Sequence, residues 1–443
     1  MEKIGSIHFI IGHRLWQGTA GLVTAILVVL LLSAEEQGWY FTFVSLVSIY
    51  TIFEMGLALT VVQIVARLFL KTRWQNNGDF QGEGRVELTH LIQAGFRVYL
   101  FLALVFIFST LFLGWKVFES ASSHVLIVDK WHLPWLTLIL FTAVNMCLLF
   151  FLAILEGSGD IKKTYQIRLY MAMGGSFLCW LVLLANGFLW ATIAVPFFST
   201  AYGLIWFYRH KPSILQAALK YDSGAMQYWN KNVWSLQWRV GLYWVSIFLM
   251  SQVTTPILFM TKGSIIAGQM GLSLTIAHMI GIIAQGWIVR GIPTMTQAAT
   301  NGDWTILDNI FTNNLRLSIL TFILGCFCVV IVYLFAEYQG LLERLLAWPE
   351  MIGLMIFVFV YHINNSLAAQ MRSFHQEPLC GIFFIGAILI VLISLTLVSN
   401  FSVAGIILAM VIVQLCFIFP LSWKVWHNCN RKWRNEFNKT LIA

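Results

Sequence analysis

Residues 133–155 read LPWLTLILFTAVNMCLLFFLAIL, without a single Asp, Glu, Lys or Arg. A helix over this stretch, rising about 1.5 Å per residue, is long enough to cross the ~30 Å hydrocarbon core of a bilayer. Comparable apolar stretches lie near 15–33, 39–69, 95–115, 164–185, 188–208, 239–261, 264–289, 315–336, 350–371, 379–398 and 403–424. Of all residues, 59% are hydrophobic and 10% charged, against roughly 25% charged in a soluble protein. Backbone polar groups in hydrocarbon must be satisfied within the segment, so each stretch is a helix. The fold class is all-α integral membrane, with about twelve transmembrane helices.

Loops rich in Lys and Arg stay on the cytoplasmic side. With the N-terminus inside, the inner segments hold 23 of the 27 Lys and Arg and the outer loops hold 4. Both termini are therefore expected in the cytoplasm. Up to Arg14 no short apolar region ends in a small-residue cleavage site, so no cleaved leader is expected. The seven cysteines fall mostly inside spans without paired or metal-ligand spacing, and are expected as free thiols.

The segment from Arg209 to Arg239 leaves six spans on either side. The expected organisation is an N-terminal lobe over 1–210, an amphipathic cytoplasmic linker over 211–238 and a C-terminal lobe over 239–443. The linker mixes Leu215, Leu219, Met226, Trp229, Trp234 and Trp238 with Lys211, Lys220 and Lys231, the composition of a helix lying among headgroups, or of a passive connector. A second hydrophilic segment, Lys71 to Arg97, has a flexible part over Gln75 to Gly84. Gly38 to Phe43, opening span 2, has a counterpart in Gly268 to Ser273, opening span 8. Two such units with a site at their interface are a recurrent transporter plan.

Ionisable groups in spans are costly and therefore candidates for function. Glu54 lies mid-way along span 2 with Tyr50 and Thr51 on the preceding turn; it reads as a coupling group or as a carboxyl bonded to a neighbouring helix. Arg14, Arg67, Arg97, Arg168, Arg239, Arg290 and Arg372 sit at inner span ends, where they snorkel to lipid phosphates or give a cavity a cationic mouth. Polar stripes run along span 4 (Thr142, Asn145, Glu156), span 8 (Thr275, His278, Gln285) and span 10 (His362, Asn364, Asn365, Arg372). Such groups bond between helices or line water.

No GxxxxGK[ST] phosphate loop, nucleophile elbow or HExxH occurs. Outer loops such as Lys116 to His132 are short for a glycosyl-transferring enzyme. The chain is read as not an enzyme, with no cofactor, no metal and no nucleic-acid partner.

Gln37-Gly38-Trp39-Tyr40-Phe41-Thr42-Phe43, followed by Phe53-Glu54-Met55-Gly56, resembles the Wzx-type O-antigen and polysaccharide flippases. Trp39 stands for an aromatic Tyr and Met55 for a Leu; beyond Gln63 only the plan of the chain agrees. The resemblance implies the multidrug/oligosaccharidyl-lipid/polysaccharide exporter superfamily: a MATE-like fold of two six-helix lobes around a central cavity. It implies transfer of undecaprenyl-pyrophosphate-linked oligosaccharide from the inner to the outer leaflet of a bacterial inner membrane, for O-antigen and lipopolysaccharide assembly. Glu54 corresponds to the family's span-2 acid.

From position alone, Arg14, Arg67, Arg97 and Arg290 are expected to hold the diphosphate, and Asn145, His278, Asn364 and Asn365 the sugars, while Glu54 reads an ion gradient. Expected partners are the lipid-linked oligosaccharide, membrane lipids, and polysaccharide polymerase and chain-length proteins. The alternatives are an exporter of drugs or small solutes with this fold and, in another class, a membrane polysaccharide polymerase or ligase.

Overall fold

The computed structural model describes residues 2–75, 79–121, 131–220, 222, 224–374 and 376–442. Asn76, Asn77, Gly78 and His375, and the side chains of Trp234, Trp238 and Arg239, fall outside what it describes. Eleven helical runs among the described residues are long and apolar enough to cross a membrane. The last of them spans 56 residues, about 84 Å of helix and nearly three bilayer cores. It breaks at Ser402, whose φ is 52° and ψ −133°. A side chain at Gly405 would meet the Leu397 carbonyl at 2.7 Å, so the chain folds back there. Among the described residues this run thus supplies two crossings and the eleven runs twelve, against the expectation of about twelve.

The chain forms two compact units, Met1–Phe248 and Leu249–Ala443. The first begins with α1 (Glu2–Leu31) and α2 (Ala34–Val47), separated by a short turn in which Ser33 and Glu36 form a capping box. Then come α3 (Tyr50–Glu54), α4 (Leu57–Leu68), the strands β1 (Thr72–Trp74) and β2 (Phe80–Gly82), α5 (Arg85–Ala121) and α6 (His132–Gly157). α7 (Ile161–Leu184), α8 (Ala191–His210), α9 (Pro212–Leu219), α10 (Gly224–Asn232) and α11 (Trp234–Ser251) follow. α1 lies along α7, α7 along α8, and α4, α5 and α8 on α6. The motif Gln37–Phe43 is wholly buried. Its Trp39 and Phe43 join Phe118, Trp131 and Trp135 in an aromatic cluster with ring centroids 4.9–6.5 Å apart. The residues that carry the family resemblance at this end are core.

Two expectations about hydrophilic segments change. The described flanks of the stretch read as flexible pair as an antiparallel ribbon, Thr72 with Gly82 and Trp74 with Phe80. Trp74 holds it: its Nε1 donates to Ser158 Oγ at 2.9 Å, and Lys211 Nζ lies 3.3 Å from its ring centroid. Lys211 is 6% exposed and pairs with Asp160 at 3.9 Å. Burial pulls its pKa down to about 8, against the opposing pull of Asp160. Within the segment 211–238, which belongs to unit 1, α9 and α10 lie on α5. Trp229 is 1% exposed, in the core rather than among headgroups. Gly95 makes room: a Cβ there would meet Phe150 at 2.3 Å and Trp229 at 2.9 Å.

The second unit contains α12 (Thr254–Lys262), α13 (Ser264–Asn301), α14 (Trp304–Tyr338), α15 (Trp348–Arg372), α16 (Cys380–Val413) with its break, a π-turn over Gln414–Ile418, and α17 (Phe419–Ile442). α13 packs on α14 and α15, and α17 on α15. The polar stretch Gln297 to Asn314 is helix on both sides of a two-residue turn. Gly302, at φ 77°, ends α13, and Asp303 N–H donates to Ala298 O at 2.9 Å, a left-handed cap that lets α14 start at once. Asp308 takes a bidentate pair from Arg434 at 2.6 and 2.9 Å, tying α17 to α14.

Candidate functional site

Span 2 is not one helix. Met55 and Gly56 have φ of 47° and 70°, so the helix stops at Glu54 and restarts at Leu57. A break leaves the first N–H groups of the new helix without partners, and at membrane depth water does not satisfy them. Glu54 does: its Oε2 accepts from Gly56 N–H at 2.8 Å and its Oε1 from Ala58 N–H at 2.6 Å. The carboxylate also sits at the positive end of the α4 dipole. Tyr99 of α5, fully buried, donates its hydroxyl to Oε1 at 3.0 Å.

On the carbonyl side, Gln237 of α11 donates from Nε2 to Met55 O and accepts from the Thr60 hydroxyl at 2.8 Å. Gly241, one turn on, lets α11 lie against Met55, whose Sδ is 3.1 Å from where a Cβ would stand. Of the hydroxyls expected beside Glu54, Thr51 instead donates to its own helix at Ser48 O, 2.8 Å away. Sequence reasoning missed Tyr99 and Gln237. Nothing local marks either one, since each acts on a partner far along the chain.

Arg14 is exposed on α1, where it and Arg168 lie within electrostatic reach of His13 and Tyr165. Arg168 is also paired with Glu156 at 2.7 Å and lies over the Tyr165 ring. Glu156 therefore belongs to an ion pair rather than to a free polar stripe. Arg97 is half-buried and donates to Lys220 O at 3.0 Å. Arg67 is exposed in the last turn of α4. Asn145 is half-buried on α6, while Thr142 beside it donates to Leu138 O within the helix.

In unit 2, Arg290 is exposed and His278 half-buried on α13. The stripe expected on α15 is used between helices in part. His362 is 2% exposed and bonds Ser318 of α14; Ser366 donates to Gln285 of α13 at 3.4 Å; Arg372 pairs with Glu377 at 3.1 Å. Asn365 is half-buried. Asn364 is fully buried, and neither amide atom has a hydrogen-bond partner among the described residues. Among the described residues no three His, Cys, Asp or Glu gather as a metal site.

No protein-family model and no curated protein matches the chain. Solved structures do. An inward-facing multidrug resistance MATE family transporter of the MOP superfamily superposes with a TM-score of 0.67 at 12% identity, over 94% of this chain and 96% of its own. The fold is MATE-like. The MATE multidrug transporter DinF-BH gives 0.65 at 14% identity over 96% and 94%. Lipid II flippase MurJ in an inward closed conformation gives 0.56 at 13% identity over 95% and 87%. The MATE-like layout of crossings thus extends through both units, at identities where side-chain roles do not transfer.

Proposed function

We propose that this protein is a flippase for polyprenyl-pyrophosphate-linked oligosaccharide, of the Wzx type, carrying O-antigen or other polysaccharide repeat units across a bacterial inner membrane. The observation that carries the reading is the coincidence of motif and geometry. Phe53-Glu54-Met55-Gly56, half of the flippase-like signature, forms the break in span 2, and broken helices are where transporters place their sites and moving parts. A solved structure of similar fold belongs to a protein named as a lipid II flippase, which supports a lipid-linked substrate.

A pyrophosphate in hydrocarbon costs many kcal/mol unless it is paired. Arg14, Arg67 and Arg290, exposed on their helices, are the groups assigned to it, with Arg97 beside them in the assignment. Asn145, His278 and Asn365 offer half-buried polar groups for sugars. Asn364 lacks a partner in this state, and a sugar hydroxyl admitted by helix movement would relieve a cost of about 1–3 kcal/mol. The lobes alternate access to the two faces of the membrane. Ion coupling is assigned to Glu54, whose carboxylate holds the helix break. Polysaccharide polymerase and chain-length proteins are the expected downstream partners, and both termini are assigned to the cytoplasm.

The second reading, a small-solute exporter, is favoured by the higher TM-scores of the two multidrug transporters. Against it, both Glu54 oxygens already accept hydrogen bonds, leaving that acid poorly placed to neutralise a cationic drug.

The test is outer-leaflet appearance of lipid-linked repeat units in cells carrying Arg14→Ala or Arg290→Ala at normal abundance. Each loss of a charge-assisted contact is expected to lower export by about tenfold or more. Unchanged export in both variants removes the diphosphate assignment. Efflux of small cations with no lipid-linked sugar moved would replace the flippase reading by the second.

A further inference from the structure

An apolar groove of about 440 Å³ runs along unit 1 between α5, α6 and α8, closed at one end by α9. On α5 its wall is Phe96, Leu100, Ala103, Leu104 and Ile107, the spacing of one helix face. From Phe96 to Ile107 the helix rises about 16 Å, half of the ~30 Å hydrocarbon core and therefore the depth of one leaflet. Ala103 and Ala143, on facing helices, supply the depth of the cleft. Leu215, Ala218 and Leu219 of α9 reach over its end.

That end is cationic. Lys220 follows Leu219 and is exposed; Arg97 follows Phe96, and its guanidinium donates to Lys220 O at 3.0 Å. Asp222, two residues on, is engaged by His90 at 3.0 Å and by Gly224 N–H at 2.9 Å; those bonds, and more weakly the charge of Arg97, lower its pKa, and Lys220 leaves the end with a cation in excess. Unit 2 has a groove of similar size, about 410 Å³, between α14 and α15. There the residue before the lining Met351 is Glu350, which repels a phosphate. The two grooves share apolar walls and differ in charge.

We infer that the unit 1 groove is a binding site for one acyl chain of an anionic phospholipid, whose phosphate is held by Lys220 and Arg97 under the overhang of α9. Depth selects an ordinary membrane lipid: the groove accepts one leaflet's length of chain, less than a long polyprenyl tail needs. Charge selects an anionic one. α9 and Lys220 thereby become a lipid-reading element.

Native mass spectrometry of the delipidated full-length protein tests this, with phosphatidylglycerol, phosphatidylcholine or undecaprenyl phosphate added back. Phosphatidylglycerol is expected to be retained over phosphatidylcholine. Lys220→Glu is expected to lower that retention by about fivefold or more, the weight of one surface cation on an anionic lipid. Ala143→Phe, which fills the cleft, is expected to abolish the bound phosphatidylglycerol. Should that variant fail to fold, Leu104→Gln, at a site 47% exposed, makes the wall polar without filling it and is expected to weaken retention too. Equal retention of phosphatidylcholine, or retention unchanged in Lys220→Glu and in the folded groove variants, overturns the site. Displacement of phosphatidylglycerol by undecaprenyl phosphate, with the latter retained more strongly, overturns the phospholipid assignment in favour of the tail of a polyprenyl lipid.

Discussion

Span 2 and span 8 begin alike and end differently. Aligning Gly38 with Gly268 places Glu54, Met55 and Gly56 opposite Ala284, Gln285 and Gly286. Both spans thus carry a glycine at the same depth, yet α13 runs helical through Gly286 while span 2 breaks at Gly56. Glycine lowers the cost of a left-handed residue, but a break in hydrocarbon also strands N–H and C=O groups. Only span 2 has a carboxylate two residues earlier to take the N–H groups, and a Gln237 to serve the Met55 carbonyl. A helix break at membrane depth is therefore decided by acceptors and donors, not by the flexible residue alone.

The sharpest way to break this comparison is Glu54→Ala. It leaves two N–H groups and the Tyr99 hydroxyl without their acceptor, and about 3 kcal/mol or more of stability is expected to go, read as unfolding in mixed detergent. A change of less than about 1 kcal/mol would mean that the break is held by packing.

Gln237→Ala comes next. It strips the Met55 carbonyl and the Thr60 hydroxyl of their shared partner, for an expected loss of about 1–3 kcal/mol in the same assay. Its effect should shrink in the Glu54→Ala background if the two residues hold one structure, which a double-mutant cycle measures.

Gly56→Ala forces a Cβ into the left-handed region and is expected to cost about 1–2 kcal/mol. Gly286→Ala is the counterpart with opposite sign. No atom lies within 4 Å of the Cβ it would add, so a gain of about 0.5–1 kcal/mol is expected from helix propensity. Equal responses at the two glycines would show that span 8 also breaks.

Hydropathy and charge locate about twelve crossings and the span-2 acid, because these depend on local runs of residue type. The turn at Gly302 is not legible from polarity, since it takes only two residues and polar residues continue the helices on either side. Composition leaves Trp229 in a headgroup helix or a passive connector, because it does not reveal that Gly95 opens a slot for it. The candidate site was legible only in part. Glu54 stood out as a charge in oil, whereas Tyr99 and Gln237, which complete its surroundings, looked like ordinary members of their helices.

By itself, then, the sequence determined that this chain is a membrane protein of about twelve helices, and marked Glu54 and the basic span ends as places of interest. Burial in hydrocarbon acts on each residue according to its own polarity, so that information is local. Tertiary structure alone decided which polar groups are used up holding helices together, as His362 is by Ser318 and Glu156 by Arg168. It alone decided that span 2 breaks, and that Arg97 and Lys220 meet at the end of one groove. Those outcomes depend on pairs of residues far apart along the chain, and a hydrogen bond or a charged mouth exists only when folding brings both members of the pair together.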